Sequence, residues 1–261
     1  MKYRFGFIGC GNMGGALVTA VAKKIKGEEI AVCDHNADTT DRLADEFGVK
    51  TENAATVAGQ SKFVILGVKP QVLQKAAEEF ARDIPENAVI ITMLAGVKTE
   101  RIQNLFPTKK VIRIMPNLPC KAGQGVILYS ASAEVEKIET EEFLSAFELA
   151  GETVEIAENK IDAASAISGC GPAFVAMFAE ALADGGVRCG LTRAVAEKLA
   201  SQTLIGSAAL LKGGEHPEEL KDAVCSPGGT TIEGVTALEN KGFRYAVIEA
   251  VTKAYEKNFK L

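Results

Sequence analysis

Histidine is nearly absent from this chain: His35 and His216 are the two that occur in 261 residues. That scarcity argues against an imidazole-rich metal centre, and no metal ligand set is expected. The six cysteines (Cys10, Cys33, Cys120, Cys170, Cys189, Cys225) include no C-x-x-C pair. In a chain of this size they read as reduced thiols in a cytoplasm rather than a disulfide frame or a zinc ribbon. Positive charge is short as well. Lys and Arg total 29 against 34 Asp and Glu, a net charge of −5. No electrostatic footprint for nucleic acid or an anionic membrane surface is present, so an anionic ligand must be held by local devices. No stretch approaches the ~20 uninterrupted apolar residues of a membrane span. Met1 leads into an apolar strand and then glycines, without a basic n-region followed by a long apolar run, so no signal peptide is expected.

What remains is an ordinary globular composition, 47% hydrophobic and 24% charged, in a length that suits one large domain or two modest ones. Short apolar runs at Phe5–Ile8, Ile30–Cys33, Val64–Leu66, Val89–Ile91, Val111–Ile112 and Gly125–Leu128 read as strands. Between them lie amphipathic segments, such as Leu17, Val21 and Ile25 spaced four apart. Continuous apolar strands suit a parallel sheet covered on both faces by helices. From about Ile161 the strand-like runs stop. Alanine-rich helical segments follow at Pro172–Asp184, Thr192–Leu211, Thr230–Glu239 and Arg244–Asn258. A thin layer of such helices buries little surface alone. The expectation is therefore α/β: a dinucleotide-binding domain over 1–160, and an all-helical domain over 161–261 that completes itself against a second copy. A monomer with its helices folded back on the sheet is the alternative.

The strand ending at Ile8 runs into Gly9-Cys10-Gly11-Asn12-Met13-Gly14 and then a helix. This is G-x-G-x-x-G in the strand-to-helix context that Rossmann-type dinucleotide sites require. Gly9 allows the tight turn, Gly11 admits a pyrophosphate to the backbone, and Gly14 lets the helix sit close to the strand. The helix N-terminus adds unpaired N–H groups and a positive dipole end. Asp34 follows the second strand, twenty residues after Gly14. A carboxylate there accepts from ribose hydroxyls and repels a 2′-phosphate, with no Lys or Arg before Arg42 to offset it. Locally the sequence leans to NADH, with a plain turn cap as the other reading of Asp34. Lys69, in Gly67-Val68-Lys69-Pro70 after the Val64–Leu66 strand, faces the ligand crevice or is a solvated loop residue.

Two glycine turns precede helices in the second half. One is Ser168-Gly169-Cys170-Gly171-Pro172, with Pro172 suited to a first helical position. The other is Ser226-Pro227-Gly228-Gly229-Thr230-Thr231. Backbone N–H groups at Gly228, Gly229 and Thr230 can form a nest for a carboxylate, with the Thr231 hydroxyl beside it; a helix–helix turn with its cap is the bland reading of each.

Over essentially its whole length the chain resembles the pyrroline-5-carboxylate reductase family. The most specific stretch is Leu220-Lys221-Asp222-Ala223-Val224-Cys225-Ser226-Pro227-Gly228-Gly229-Thr230-Thr231. Val68-Lys69-Pro70, Arg113-Ile114-Met115-Pro116-Asn117, Ala183-Asp184-Gly185-Gly186-Val187 and the Gly169/Gly171/Pro172 turn support it. The resemblance implies hydride transfer from a nicotinamide to the imine carbon of 1-pyrroline-5-carboxylate, giving L-proline. It places the substrate carboxylate on the Gly228–Thr231 loop, with Ser226 in the same loop, and the ring nitrogen at Thr231. It adds Asn53, Val68, Lys69, Pro70, Ala95 and Gly96 to the cofactor lining of Ile8 through Gly14, with Lys69 and Thr231 nearest the chemistry, and it leans to NADPH. Three departures touch pocket shape: Cys170 where serine is usual, Leu118 where threonine follows Pro-Asn, and Met93-Leu94 before Ala95-Gly96. A protonated imine needs no strong enzymic acid, which suits a chain without a convincing His or carboxylate dyad. A 3-hydroxyacid dehydrogenase-like reductase using Lys198 and a dinucleotide sensor without turnover are the rival readings. The carboxylate nest argues against the sensor.

Overall fold

Residues 1–258 are described in the computed structural model, where the apolar runs join into one eight-stranded sheet. The chain runs through β1 (Tyr3–Ile8), α1 (Asn12–Ala22), β2 (Ile30–Cys33), α2 (Ala37–Phe47), β3 (Lys50–Thr51), α3 (Ala54–Gln60) and β4 (Ser61–Leu66). It continues with α4 (Leu73–Phe80), β5 (Val89–Thr92), α5 (Thr99–Leu105), β6 (Val111–Pro116), β7 (Gly125–Ala131), α6 (Lys137–Phe147), β8 (Gly151–Glu155) and α7 (Ile161–Ser168). The spatial order is β3-β2-β1-β4-β5-β6-β7-β8. β1 lies centrally, with Phe5 in register with Ile30 on one side and Phe63 on the other.

β1 through β6 run parallel, as the apolar runs predict, but β7 turns back antiparallel to β6, with Met115 opposite Leu128. β8 then pairs parallel to β7. Only residues 117–124 separate β6 from β7, whereas a parallel connection needs about a dozen residues or more, usually with a helix. The wholly parallel expectation therefore fails at this end.

Side-chain alternation in the central strands feeds two cores. Phe63 and Ile65 of β4 join the cluster under α1 and α6, while Val64 and Leu66 join the opposite one with Leu73 and Phe80 of α4. Phe5 stacks on Phe63 at 4.8 Å between centroids and meets Phe147 edge-on at 6.1 Å.

The contact boundary falls after Gly169 rather than at residue 160, because α7 packs on β7. The second compact unit, Cys170–Lys257, holds α8 (Gly171–Arg188), α9 (Arg193–Lys212), α10 (Pro217–Ala223), α11 (Thr230–Asn240) and most of α12 (Phe243–Asn258). Its own buried cluster is small, Ala183, Ala196 and Ala200 with Val187 against them. Met177, Ile205 and Ile248 remain 69%, 62% and 63% exposed. Apolar surface left open to this degree marks an interaction face. The helical run Glu158–Arg188, 31 residues whose most apolar 18-residue window has mean hydropathy 1.5, is long and apolar enough by length and composition to cross a membrane. A count of uninterrupted apolar residues misses it, because small and polar residues are interspersed along it.

Phe147 closes the aromatic stack under α6. Phe147→Ala should lower stability by about 3–5 kcal/mol, read as a lower urea midpoint by circular dichroism. An unchanged midpoint would show that this ring is not part of the cooperative core.

Candidate active site

Parallel strands deliver their C-terminal ends to one edge. There the segments after β1, β2, β3, β4 and β5 carry Gly9–Gly14, Asp34, Asn53, Gly67–Pro70 and Met93–Gly96. The strand order reverses between β1 and β4, and the crevice outside that reversal is where ligands bind in open α/β sheets.

Backbone contacts fix the glycine loop. Gly9 has φ +98°, and its N–H donates to the Cys33 carbonyl at 2.8 Å. A Cβ at Gly9 would sit 2.6 Å from the Gly67 carbonyl, and one at Gly14 only 2.1 Å from the Gly9 oxygen. These two glycines are demanded by the fold itself. Gly11 differs: a Cβ there meets nothing within 4 Å. The space over Gly11, at the mouth of α1, is open as a bound pyrophosphate requires. Burial and, next, the Asp34 carboxylate push the Cys10 thiol up to about 12, so no thiolate opposes an anion here.

Asp34 is half-buried, with its carboxylate buried and turned inward. Its Oδ2 accepts the Cys10 N–H at 2.6 Å and its Oδ1 the Asn36 N–H at 2.9 Å, with His35 Nδ1 at 3.0 Å. It braces the loop and caps the β2–α2 turn. Arg42 and Lys121, remote from each other in sequence, both line a groove of about 350 Å³ that runs from Gly11 and Asn12 along α1. Two cations thus border the loop, which the spacing after Asp34 did not reveal.

Asn53 caps α3, its Oδ1 accepting from the Thr56 N–H at 2.8 Å. Lys69 is exposed and directly precedes the short turn Pro70–Val72, while Val68 packs on the core beneath. Ala95 and Gly96 are exposed at the β5 end, with Gly96 at φ +71°.

The expected substrate residues lie in the second unit. Gly228 takes φ +67°, and the Gly229 N–H closes a turn onto the Ser226 carbonyl at 3.0 Å. One of the three N–H groups expected in the carboxylate nest is therefore already engaged. Thr230 and Thr231, both exposed, open α11, where the first N–H groups have no partner within the helix. Pro172 is the second residue of α8, one place later than expected. Lys198 is exposed on α9. Among the described residues, no group of three or more His, Cys, Asp or Glu is disposed to hold a metal.

Two residues gain roles that sequence reasoning did not give them. Asn117, buried after β6, donates from Nδ2 to the Ser168 carbonyl at 2.8 Å and accepts the Val126 N–H on Oδ1 at 2.8 Å. Arg113, in β6, is the largest fully buried side chain. For Arg113, a charged side chain inside an otherwise apolar strand was the signal available.

A doubly wound sheet with this glycine turn defines a dinucleotide-binding oxidoreductase fold. Residues 4–96 match a family described as NADP oxidoreductase, coenzyme F420-dependent, and residues 158–261 match the pyrroline-5-carboxylate reductase dimerisation family. The pyrroline-5-carboxylate reductase of Synechocystis is 42% identical over 265 aligned residues, covering 100% of this chain and 99% of the relative. That of Escherichia coli is 41% identical over 266, with the same coverage. The crystal structure of the Plasmodium falciparum pyrroline carboxylate reductase with NADP bound superposes with TM-score 0.86 at 30% identity, covering 99% of this chain and 98% of that one. The chain belongs to the pyrroline-5-carboxylate reductase family, and its helical half carries that family's oligomerisation region.

The glycines separate fold from ligand. Gly14→Ala should lower the melting temperature of the ligand-free protein, whereas Gly11→Ala should cost about 1 kcal/mol or less. Gly11→Ala should nevertheless weaken NADPH and NADH about tenfold or more in a fluorescence titration. Undiminished binding in Gly11→Ala would place the pyrophosphate elsewhere.

Proposed function

We propose that this chain is a cytoplasmic, NAD(P)H-dependent reductase that converts 1-pyrroline-5-carboxylate to L-proline, the last step of proline synthesis. Full-length similarity to reductases of that name, joined to the Ser226–Thr231 turn ahead of α11, carries the reading. The nicotinamide supplies the hydride. The chain's contribution is alignment and charge placement.

In this reading Ile8 through Gly14 hold the pyrophosphate over Gly11, with Asp34 keeping the loop in shape. Asn53, Val68, Lys69, Pro70, Ala95 and Gly96 line the rest of the dinucleotide. Ser226, Gly228, Gly229 and Thr230 cradle the substrate carboxylate, chiefly through backbone N–H groups. The Thr231 hydroxyl orients the ring nitrogen, whose protonated form is electrophilic enough without a strong acid. Both NADPH and NADH are accepted. The bound NADP of the Plasmodium relative, the inward-facing Asp34 and the neighbouring Arg42 and Lys121 support the phosphorylated form. The free cysteines suit a reducing cytoplasm. A net charge of −5 gives no basis for a nucleic-acid partner. The apolar helix faces are assigned to a second copy rather than to a membrane, in a homodimer or an assembly of dimers.

Incubation with pyrroline-5-carboxylate should consume NAD(P)H absorbance, and an inert mixture would refute the assignment. Adjacent positions on a helix differ by about 100°, so one threonine of the pair faces the ligand. Thr231→Ala should cost about 1–3 kcal/mol of transition-state stabilisation, roughly ten- to a hundredfold in kcat/KM. Thr231→Ser should keep much of the activity, and dinucleotide affinity should hardly change. A loss confined to Thr230→Ala would reverse the assignment.

Assembly has its own test. Light scattering at micromolar concentration should give a dimer or a multiple of dimers, and Met177→Glu with Ile248→Glu should shift it toward monomer. A fully active wild-type monomer would contradict the reading.

A further inference from the structure

Arg113 is a guanidinium inside a sheet. Its side chain is only 2% exposed, and in register it lies between Thr92 of β5 and Ser130 of β7. A charge so placed destabilises a fold unless it is paired. Arg113 meets Asp162 Oδ1 through one terminal nitrogen at 3.1 Å and Glu158 Oε1 through the other at 3.6 Å. Its Nε has no hydrogen-bond partner among the described residues.

The two carboxylates lead to different places. Glu158 accepts the Thr99 N–H at 2.7 Å on Oε1 and the Thr99 hydroxyl at 2.9 Å on Oε2. Thr99 opens α5, and Lys98 before it supplies no side-chain cap. A residue 59 positions away therefore caps α5 and ends the loop that carries Ala95 and Gly96. Asp162 lies in the first turn of α7, the helix whose last carbonyl is held by Asn117. One buried cation thus fixes the end of the 93–98 loop and the start of α7 together. An apolar side chain would fill the sheet without joining them.

We infer that Arg113 is a positioning residue for hydride transfer, setting through Glu158 and Thr99 the 93–98 loop. That loop follows β5, across β4 from the glycine loop of β1, and the nicotinamide end of the dinucleotide is assigned to it. This rests on the dinucleotide placement proposed above. It requires no contact between Arg113 and either ligand. Losing it should disturb the nicotinamide end of the cofactor and leave the adenosine–pyrophosphate part, whose pyrophosphate is held at Gly9–Gly14, unaffected.

The test compares Arg113→Met, Arg113→Lys, Glu158→Gln and Thr99→Val in the full-length assembled enzyme. Affinities are measured for NADPH and for 2′-phospho-ADP-ribose, which lacks the nicotinamide. The primary isotope effect on kcat is measured with NADPH deuterated at C4. Arg113→Met should weaken NADPH about tenfold, the loss of one charge-assisted contact set, with 2′-phospho-ADP-ribose within about twofold and a larger isotope effect. Arg113→Lys should recover part of the loss, and Glu158→Gln and Thr99→Val should show the same selective change to a smaller degree. Parallel loss of both affinities, or a lower active fraction with an unchanged isotope effect, would overturn the proposal and leave Arg113 a purely structural residue. Should Arg113→Met fail to fold, the Glu158 and Thr99 variants decide: an unchanged affinity ratio in both refutes the inference. The binding arms need no substrate turnover. They remain decisive even if pyrroline-5-carboxylate is not the substrate.

Discussion

Backbone meets backbone at Gly9 and Gly67, and the rest of the first unit is arranged around that contact. The Gly67 N–H donates to the Ile8 carbonyl and the Gly9 N–H to the Cys33 carbonyl, each at 2.8 Å. The loops after β1, β2 and β4 are thereby tied at the point where the sheet changes winding direction. A side chain on Gly9, Gly14 or Gly67 would fall within 2.6 Å of a main-chain atom. The glycines therefore serve the protein's own packing as much as a ligand, and Gly11 alone of the fingerprint is left with open space. Asp34 adds a carboxylate brace across the same junction.

The second unit follows a different logic. Its buried cluster consists of alanines, which contribute little area each, while larger apolar side chains of α8, α9 and α12 face outward. Such a unit buries little apolar surface of its own against the conformational entropy lost in ordering the residues from Cys170 to Lys257. Residues 158–261 match the reductase dimerisation family, which supports oligomerisation of this unit. By composition alone the apolar run Glu158–Arg188 suits either cover, since a helix covered by protein needs the same side chains as one covered by lipid.

Legibility in the sequence followed burial. Val64-Ile65-Leu66 and Val89-Ile90-Ile91 are apolar without interruption because both their faces are covered, and they stand out as strands. β8, Gly-Glu-Thr-Val-Glu on the sheet edge, is mostly polar and half exposed. β3 has two exposed residues. Neither offers a periodic signal to read. α10 is short and charged, and it was missed for the same reason. Ile25 keeps the spacing of Leu17 and Val21, yet α1 ends at Ala22 and Ile25 is buried from the following turn. The glycine fingerprint was legible because its spacing is dictated by backbone geometry. What Asp34 touches was not, since a carboxylate at that position suits a ribose or a loop amide equally well. The convergence of Arg42 with Lys121, and of Arg113 with Glu158 and Thr99, depends on strand order, and strand order is not written locally.

The central claim is that hydride passes from a nicotinamide to the imine carbon of pyrroline-5-carboxylate. Turnover with NADPH or NADH deuterated on the transferring face of C4, followed by mass spectrometry and NMR of the product, tests it most directly. The account predicts proline carrying one deuterium at its δ carbon. Unlabelled proline, label at another carbon, or no proline at all would contradict it.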